Sequence, residues 1–122
     1  MVCLGNICRS PLAEGILKYK IKNKNIFVDS AGTASYHIGK LPDSRSIEIA
    51  LRNGIDIRNQ RARQFTVKDF DDFDKIYVMD THNYASILSN ARNQSDRNKV
   101  DIDTFLILKK AHTAFLRLYL PF

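Results

Sequence analysis

Apolar and polar positions along this chain switch between two periods, and the switches mark its elements. Met1, Val2 and Cys3 read as the end of a buried strand, because Leu4-Gly5-Asn6-Ile7 is loop-like and Pro11 fits the first turn of a helix. From Pro11 to about Asn23, Leu12, Ala13, Ile16, Leu17 and Ile21 keep a helical period. Lys18, Lys20, Lys22 and Lys24 gather at its end, where a helix dipole favours cations, and they read as a solvated face. Ile26-Phe27-Val28 predicts a second strand, closed by Asp29-Ser30-Ala31-Gly32. A loop then runs to Pro42. Asp43 caps a predicted helix with Ile47, Ala50 and Leu51 on one face, stopped at Asn53-Gly54. Lys75–Met79 predicts a third strand, and Asp80 or Thr81 caps a helix carrying Tyr84, Ile87, Leu88 and Ala91. Asn93 to Asn98 reads as a polar loop and Val100 to Ile102 as a fourth strand. Strands alternating with helices predict an α/β fold, a four-stranded parallel sheet with helices on both faces.

Composition narrows the possibilities without choosing among them. A length of 122 residues with 44% apolar and 26% charged positions suits one globular domain. No run approaches the roughly 18 apolar residues of a spanning helix, and the N-terminus lacks a signal-peptide pattern, so the expected compartment is the cytoplasm, with no membrane partner. The net charge of +6 suits an anionic partner. Nothing beyond that charge points to nucleic acid, and none is expected as a partner. The oligomeric state is not legible. Two cysteines make neither a disulfide scaffold nor, without a His at ligand spacing, a zinc site, and no metal or cofactor is expected.

The chemistry lies in one loop. In Cys3-Leu4-Gly5-Asn6-Ile7-Cys8-Arg9-Ser10-Pro11, backbone N–H groups can wrap a tetrahedral oxyanion at the start of a helix, making it a phosphate-binding loop between the first strand and first helix. The same field favours the thiolate of Cys3, the form that attacks. Arg9 offers a planar fork to two phosphoryl oxygens. Ser10 can donate to the sulfur as it leaves.

The segment VCLGNICRSP resembles the signature loop of the low-molecular-weight protein tyrosine phosphatases. Further similarity follows in family order: DSAGT at 29–33, PDSRS at 42–46, NGID at 53–56, RARQ at 61–64 and DFDDFDKIYVMD at 69–80. The resemblance runs from Val2 to about Val100. It implies a metal-free phosphatase that forms a phosphocysteine and acts on phosphotyrosine-containing proteins or small aryl phosphates. By motif position Cys3 is the nucleophile and Arg9 the phosphate clamp, while Leu4, Gly5, Asn6, Ile7, Cys8 and Ser10 form the loop. Asn6 and Ser30 brace it, and Ser10 partners the thiolate. Tyr36 lines the substrate entrance. Cys8 is the second thiol, able to trap an oxidised Cys3 as a disulfide.

Three departures from the family pattern stand out. Gln60 replaces a His before the RARQ run. Only two residues precede Cys3 where a longer central strand is expected, so the domain spanning 1–122 reads as having a truncated first strand. The Asp-Pro-aromatic sequence that supplies the family's general acid is absent; Asp101 or Asp103 could reach the site in its place. After about residue 103 the tail is atypical, with no Asp, Glu or Gly from Thr104 to Phe122. A pseudophosphatase that binds phosphate or phosphotyrosine without turnover is therefore an alternative. Arsenate reductase is a weaker one, since no cysteine follows Cys8.

Overall fold

A computed structural model describes residues 1–21 and 25–102. Strand β1, Val2–Cys3, lies between β2, Ala31–Gly32, and β3, Ile76–Val78, with β4, Val100–Ile102, at the edge beside β3. All three pairings are parallel, with Val2 opposite Ala31 and Val78 on its two sides. The strand order β2-β1-β3-β4 reverses direction between β1 and β3. In open parallel sheets such a reversal opens a crevice at the carboxyl ends of the two strands, where ligands bind.

Side-chain alternation along the strands divides the core between the two faces. Cys3 and Met79 join Leu12, Ala13, Ile16, Ala50 and Ile57, whereas Val2 and Val78 join Phe70, Ile76, Ile87 and Val100. Helices α1, Arg9–Lys20, and α2, Ser44–Arg52, cover the first face. Short α3, Asp69–Asp72, and α4, Thr81–Leu88, cover the second. Gly15 explains how closely α1 approaches its neighbour: a Cβ there would lie 2.6 Å from Ile57 Cγ2. Two caps fall where expected. Asp43 accepts from Arg45 N at 2.9 Å, and Asp80 accepts from Asn83 N at 2.7 Å, so Asp80 and not Thr81 caps α4.

Several expectations need correction. The second strand is Ala31–Gly32 and not Ile26–Val28, because the ladder with β1 joins Val2↔Ala31 and Cys3↔Gly32, and among the described residues no strand pairs with 26–28. Phe27, lacking such a partner, is 75% exposed. Helix α1 spans Arg9–Lys20 instead of Pro11–Asn23: Ile21 turns to extended backbone, its N–H closing the last turn on Leu17 O at 2.9 Å. Leu51 points outward, since α2 packs through Ser46, Ile47 and Ala50. The polar stretch 93–98 contains a helix, α5, Gln94–Asn98, whose start is fixed by Asn93 accepting from Asp96 N. Polar composition hid that cap. Asp103 and the tail beyond it lie outside the described residues.

Candidate active site

The loop joining β1 to α1 is held from below by side chains while its own amides stay unpaired. The N–H groups of Gly5, Asn6, Ile7 and Cys8 donate to no acceptor among the described residues. Unpaired backbone donors are rare unless something polar takes them. The loop's carbonyls, by contrast, are used: Cys3 O accepts from Thr33 N, Leu4 O from Ala34 N, and Ile7 O from Asp43 N, at 2.9, 2.9 and 2.7 Å. The backbone is thus pinned by its acceptors and offers its donors.

Asn6 governs the shape. Its φ of +54° lies in the left-handed region, which Asn tolerates better than most residues. It is 2% exposed, and its amide is satisfied at both ends. Nδ2 donates to Ser10 Oγ at 2.7 Å and Ser30 Oγ at 2.9 Å, while Oδ1 accepts from Arg63 N at 3.0 Å. Ser10 Oγ in turn lies 3.0 Å from Cys3 Sγ. The structure therefore brings together Cys3, Asn6, Ser10 and Ser30 in one buried chain of contacts. Gly32 permits it, because a Cβ there would sit 2.8 Å from Leu4 O and 3.1 Å from Asn6 N.

Arg9 comes from the first turn of α1 and meets Asp80, the residue after the β3–Met79 run, with Nη1 donating to Oδ2 at 3.0 Å. Arg9 follows β1 and Asp80 follows β3, so their contact spans the carboxyl ends of these two strands. Burial acts to raise the Asp80 carboxyl, but the Asn83 N–H and the Arg9 guanidinium outweigh it and hold it below its ordinary range. Tyr36 is exposed, and its ring meets His37 edge-on with centroids 6.3 Å apart. His37 covers Gly5, where a Cβ would meet its Cδ2 at 2.9 Å. Leu4 and Ile7 flank Gly5. Cys8 precedes α1, half-buried, and both cysteines are free thiols. Burial, with Asp43 and Cys3 nearby, pushes the Cys8 thiol up to about 11.

Sequence reasoning missed four participants: Glu14, His37, Arg63 and Asp80. Glu14 had left a signal, a carboxylate set between Leu12, Ala13 and Ile16 on the apolar side of the first helix. Gln60 keeps one bond where the family pattern has His, donating to Pro11 O at 3.0 Å, while its Oε1 is buried without a partner among the described residues. Asp101 does not join the site: it lies on β4, which pairs with β3 and not β1, and its carboxylate faces Lys75 Nζ at 3.9 Å. A cleft of about 330 Å³ beside Met1, Phe27, Phe73 and Lys75 contains none of these groups.

The family model described as low molecular weight phosphotyrosine protein phosphatase matches residues 1–113. The chain belongs to this family. A relative from Synechocystis sp. is 49% identical over 92 residues, covering 72% of this chain and 58% of its own length. The low molecular weight phosphotyrosine protein phosphatase of Schizosaccharomyces pombe is 38% identical over 104 residues, 81% of this chain and 65% of its own. The chain thus spans less than two thirds of the length of these relatives. Among solved structures, Vibrio vulnificus Wzb in complex with benzylphosphonate superposes with a TM-score of 0.78 at 32% identity, over 98% of this chain and 86% of Wzb. YfkJ from Bacillus subtilis gives 0.75 at 42% identity, over 83% and 65%.

Proposed function

We propose that the chain hydrolyses phosphate monoesters through a phosphocysteine intermediate, acting in the cytoplasm on phosphotyrosine in proteins or on small aryl phosphates. One observation carries this reading: a run of unpaired loop amides sits between a buried cysteine and an arginine whose remaining N–H groups can grip phosphoryl oxygens. The activity for which the family is described and the benzylphosphonate complex of Wzb support it. In the first step the Cys3 thiolate attacks phosphorus, the S–P bond forms, and the bond to the aryl oxygen breaks with its electron pair, so the alcohol leaves as an aryloxide that takes its proton from water. Charge on the equatorial oxygens falls on Arg9 and the loop N–H groups. In the second step water attacks phosphorus, the S–P bond breaks, and Ser10 receives the returning thiolate with a hydrogen bond. No resident cofactor enters either step. Tyr36 offers its ring to the substrate's ring at the entrance.

Cys8 acts when peroxide oxidises Cys3 to the sulfenic acid. Its thiol displaces water from that group and forms a disulfide, which a dithiol reductant reverses. A second reading, phosphate binding without turnover, needs only the loop amides and the Arg9 guanidinium.

The test is hydrolysis of p-nitrophenyl phosphate, run beside iodoacetate labelling with and without phosphate. Turnover that vanishes in Cys3→Ser, together with phosphate-protected labelling of Cys3, establishes the phosphatase. Protection without turnover establishes the binding protein. Labelling indifferent to phosphate overturns both.

A further inference from the structure

Glu14 is 3% exposed, on a stretch of α1 where every residue from Ser10 to Ile16 is buried. A carboxylate in such a place is costly unless its oxygens are taken. Both are taken: Lys18 Nζ donates to Oε2 at 2.7 Å, and Ser30 Oγ donates to Oε1 at 2.7 Å. An apolar side chain would pack this helix face with no such requirement. The contacts of Ser30 show what the carboxylate accomplishes.

We propose that Glu14, with Lys18 as its counter-charge, is a positioning residue for the nucleophile, fixing the direction of a hydrogen-bond chain that ends with Ser10 donating to the Cys3 sulfur. The argument is one of donors and acceptors. A carboxylate only accepts, so the single hydroxyl hydrogen of Ser30 is committed to Glu14. Ser30 Oγ can then meet Asn6 only as an acceptor, which sets the Asn6 amide with Nδ2 toward the two serines. The opposite amide orientation would press a second donor against Arg63 N–H, so Oδ1 is fixed as well. Ser10 Oγ accepts from Asn6 at 2.7 Å and is left with one hydrogen to place. Two acceptors compete for it, Cys3 Sγ at 3.0 Å and Ala31 O at 3.5 Å, and the shorter contact takes it. Without the carboxylate the Ser30 hydrogen is free to turn toward Asn6 Nδ2. That mismatch pushes the amide off Ser10, and the Ser10 hydrogen is no longer directed at sulfur.

This inference rests on the reading of Cys3 as nucleophile, so its test uses reactivity at Cys3 and not turnover. Labelling by iodoacetamide, a neutral reagent, is followed at pH 6 for the natural chain, Glu14→Gln, Ser10→Ala and the double variant. Losing one hydrogen bond to a charged sulfur corresponds to about a tenfold loss in thiolate reactivity. Each single variant should label Cys3 about tenfold more slowly, and the double variant no more slowly than Ser10→Ala, because Glu14 acts only through Ser10. Losses that multiply, or Glu14→Gln labelling at the natural rate, overturn the proposal, since a carboxylate that merely packs α1 has no reason to be coupled to Ser10. If Glu14→Gln melts below the assay temperature, Glu14→Met, which fills the helix face and leaves the Ser30 hydrogen no acceptor there, enters the same cycle with the same two outcomes. Phosphate protection of Cys3 in the natural chain is measured in parallel. Its absence counts against the phosphatase reading alone, while the cycle decides the role of Glu14.

Discussion

Gly32→Ala is a one-carbon change that should damage the site from beneath. The added Cβ would lie 2.8 Å from Leu4 O and 3.1 Å from both Asn6 N and Gly5 C. All three atoms are backbone, so no side chain can rotate away. Restoring ordinary contact distances requires the loop or β2 to move by about 0.5 Å. The loop is tied by Thr33 N→Cys3 O and Ala34 N→Leu4 O, so movement strains the same bonds that set its shape. Overpacking of this kind costs about 1–3 kcal/mol. For a domain of this size that lowers the melting temperature by about 4–12 °C. A shift of half an ångström in the loop amides should also cost about tenfold in phosphate affinity, given that a 1 Å misplacement can cost about 10²-fold. Gly5→Ala is the contrast: its Cβ meets the far end of the His37 ring at 2.9 Å, and the ring can swing aside, so the loss in stability should stay below about 1 kcal/mol. Thermal melts and phosphate protection of Cys3 from iodoacetate measure both effects. Gly32→Ala that melts with the natural chain and is protected equally well would refute the steric reasoning.

Four other outcomes are expected. Asp80→Ser keeps the α4 cap but removes the partner of Arg9, so kcat/KM for p-nitrophenyl phosphate should fall about tenfold with little change in fold; an unchanged value would show that Arg9 needs no anchor. The Asp80 carboxyl is held low in the folded chain, so its contribution is present above about pH 4 and lost as pH falls through the depressed value. The stability gap between natural chain and variant, about 0.5–1 kcal/mol after solvent screening, should therefore shrink as pH falls below the ordinary carboxylate range in urea melts. Cys8, with its thiol pushed up to about 11, holds only about 10⁻⁴ of its population as thiolate at pH 7. Disulfide formation after peroxide treatment should then speed up about tenfold per pH unit from pH 7 towards 11, and a flat profile would remove Cys8 as the trapping thiol. Finally, a chain without the Asp-Pro general acid should favour good leaving groups. Hydrolysis of p-nitrophenyl phosphate should exceed that of a phosphotyrosine peptide by about 10²–10⁴-fold, and comparable rates would point to a proton donor elsewhere in the site.

The central loop was legible because its chemistry is local in sequence. Cysteine, arginine and serine fall within eight positions, and a Pro in the first helical turn announces the element that follows. Cap residues were legible for the same reason, as Asp43 and Asp80 show. What depended on register was not. Ile26-Phe27-Val28 has strand composition, yet pairing is decided by where β1 lies alongside, and that places the ladder at Ala31–Gly32. The Arg9–Asp80 contact spans 71 positions, and no spacing rule connects residues that only a β1–β3 pairing brings together. Glu14 shows a signal that was present but unread. A charged residue inside an apolar helical stripe asks for a partner, and Ser30 is 16 positions away on another element.

The site also resolves a conflict between holding a shape and withholding hydrogen bonds. A loop that binds an oxyanion through its N–H groups cannot spend those groups on its own fold, so it lacks the usual means of backbone stabilisation. Here the deficit is made up by groups that leave the amides alone. Carbonyls from Cys3, Leu4 and Ile7 accept from Thr33, Ala34 and Asp43, and Asn6 holds the turn from its side chain. The backbone supports come from the segments after β2 and before α2, so the loop's rigidity is shared between its own Asn6 and segments distant in sequence. Substitutions at Ser30, Gly32 or Asp43 therefore act on the same quantity as substitutions within the loop. In physical terms the signature extends over every segment that donates to the loop's oxygens, and Cys3 is its most visible member.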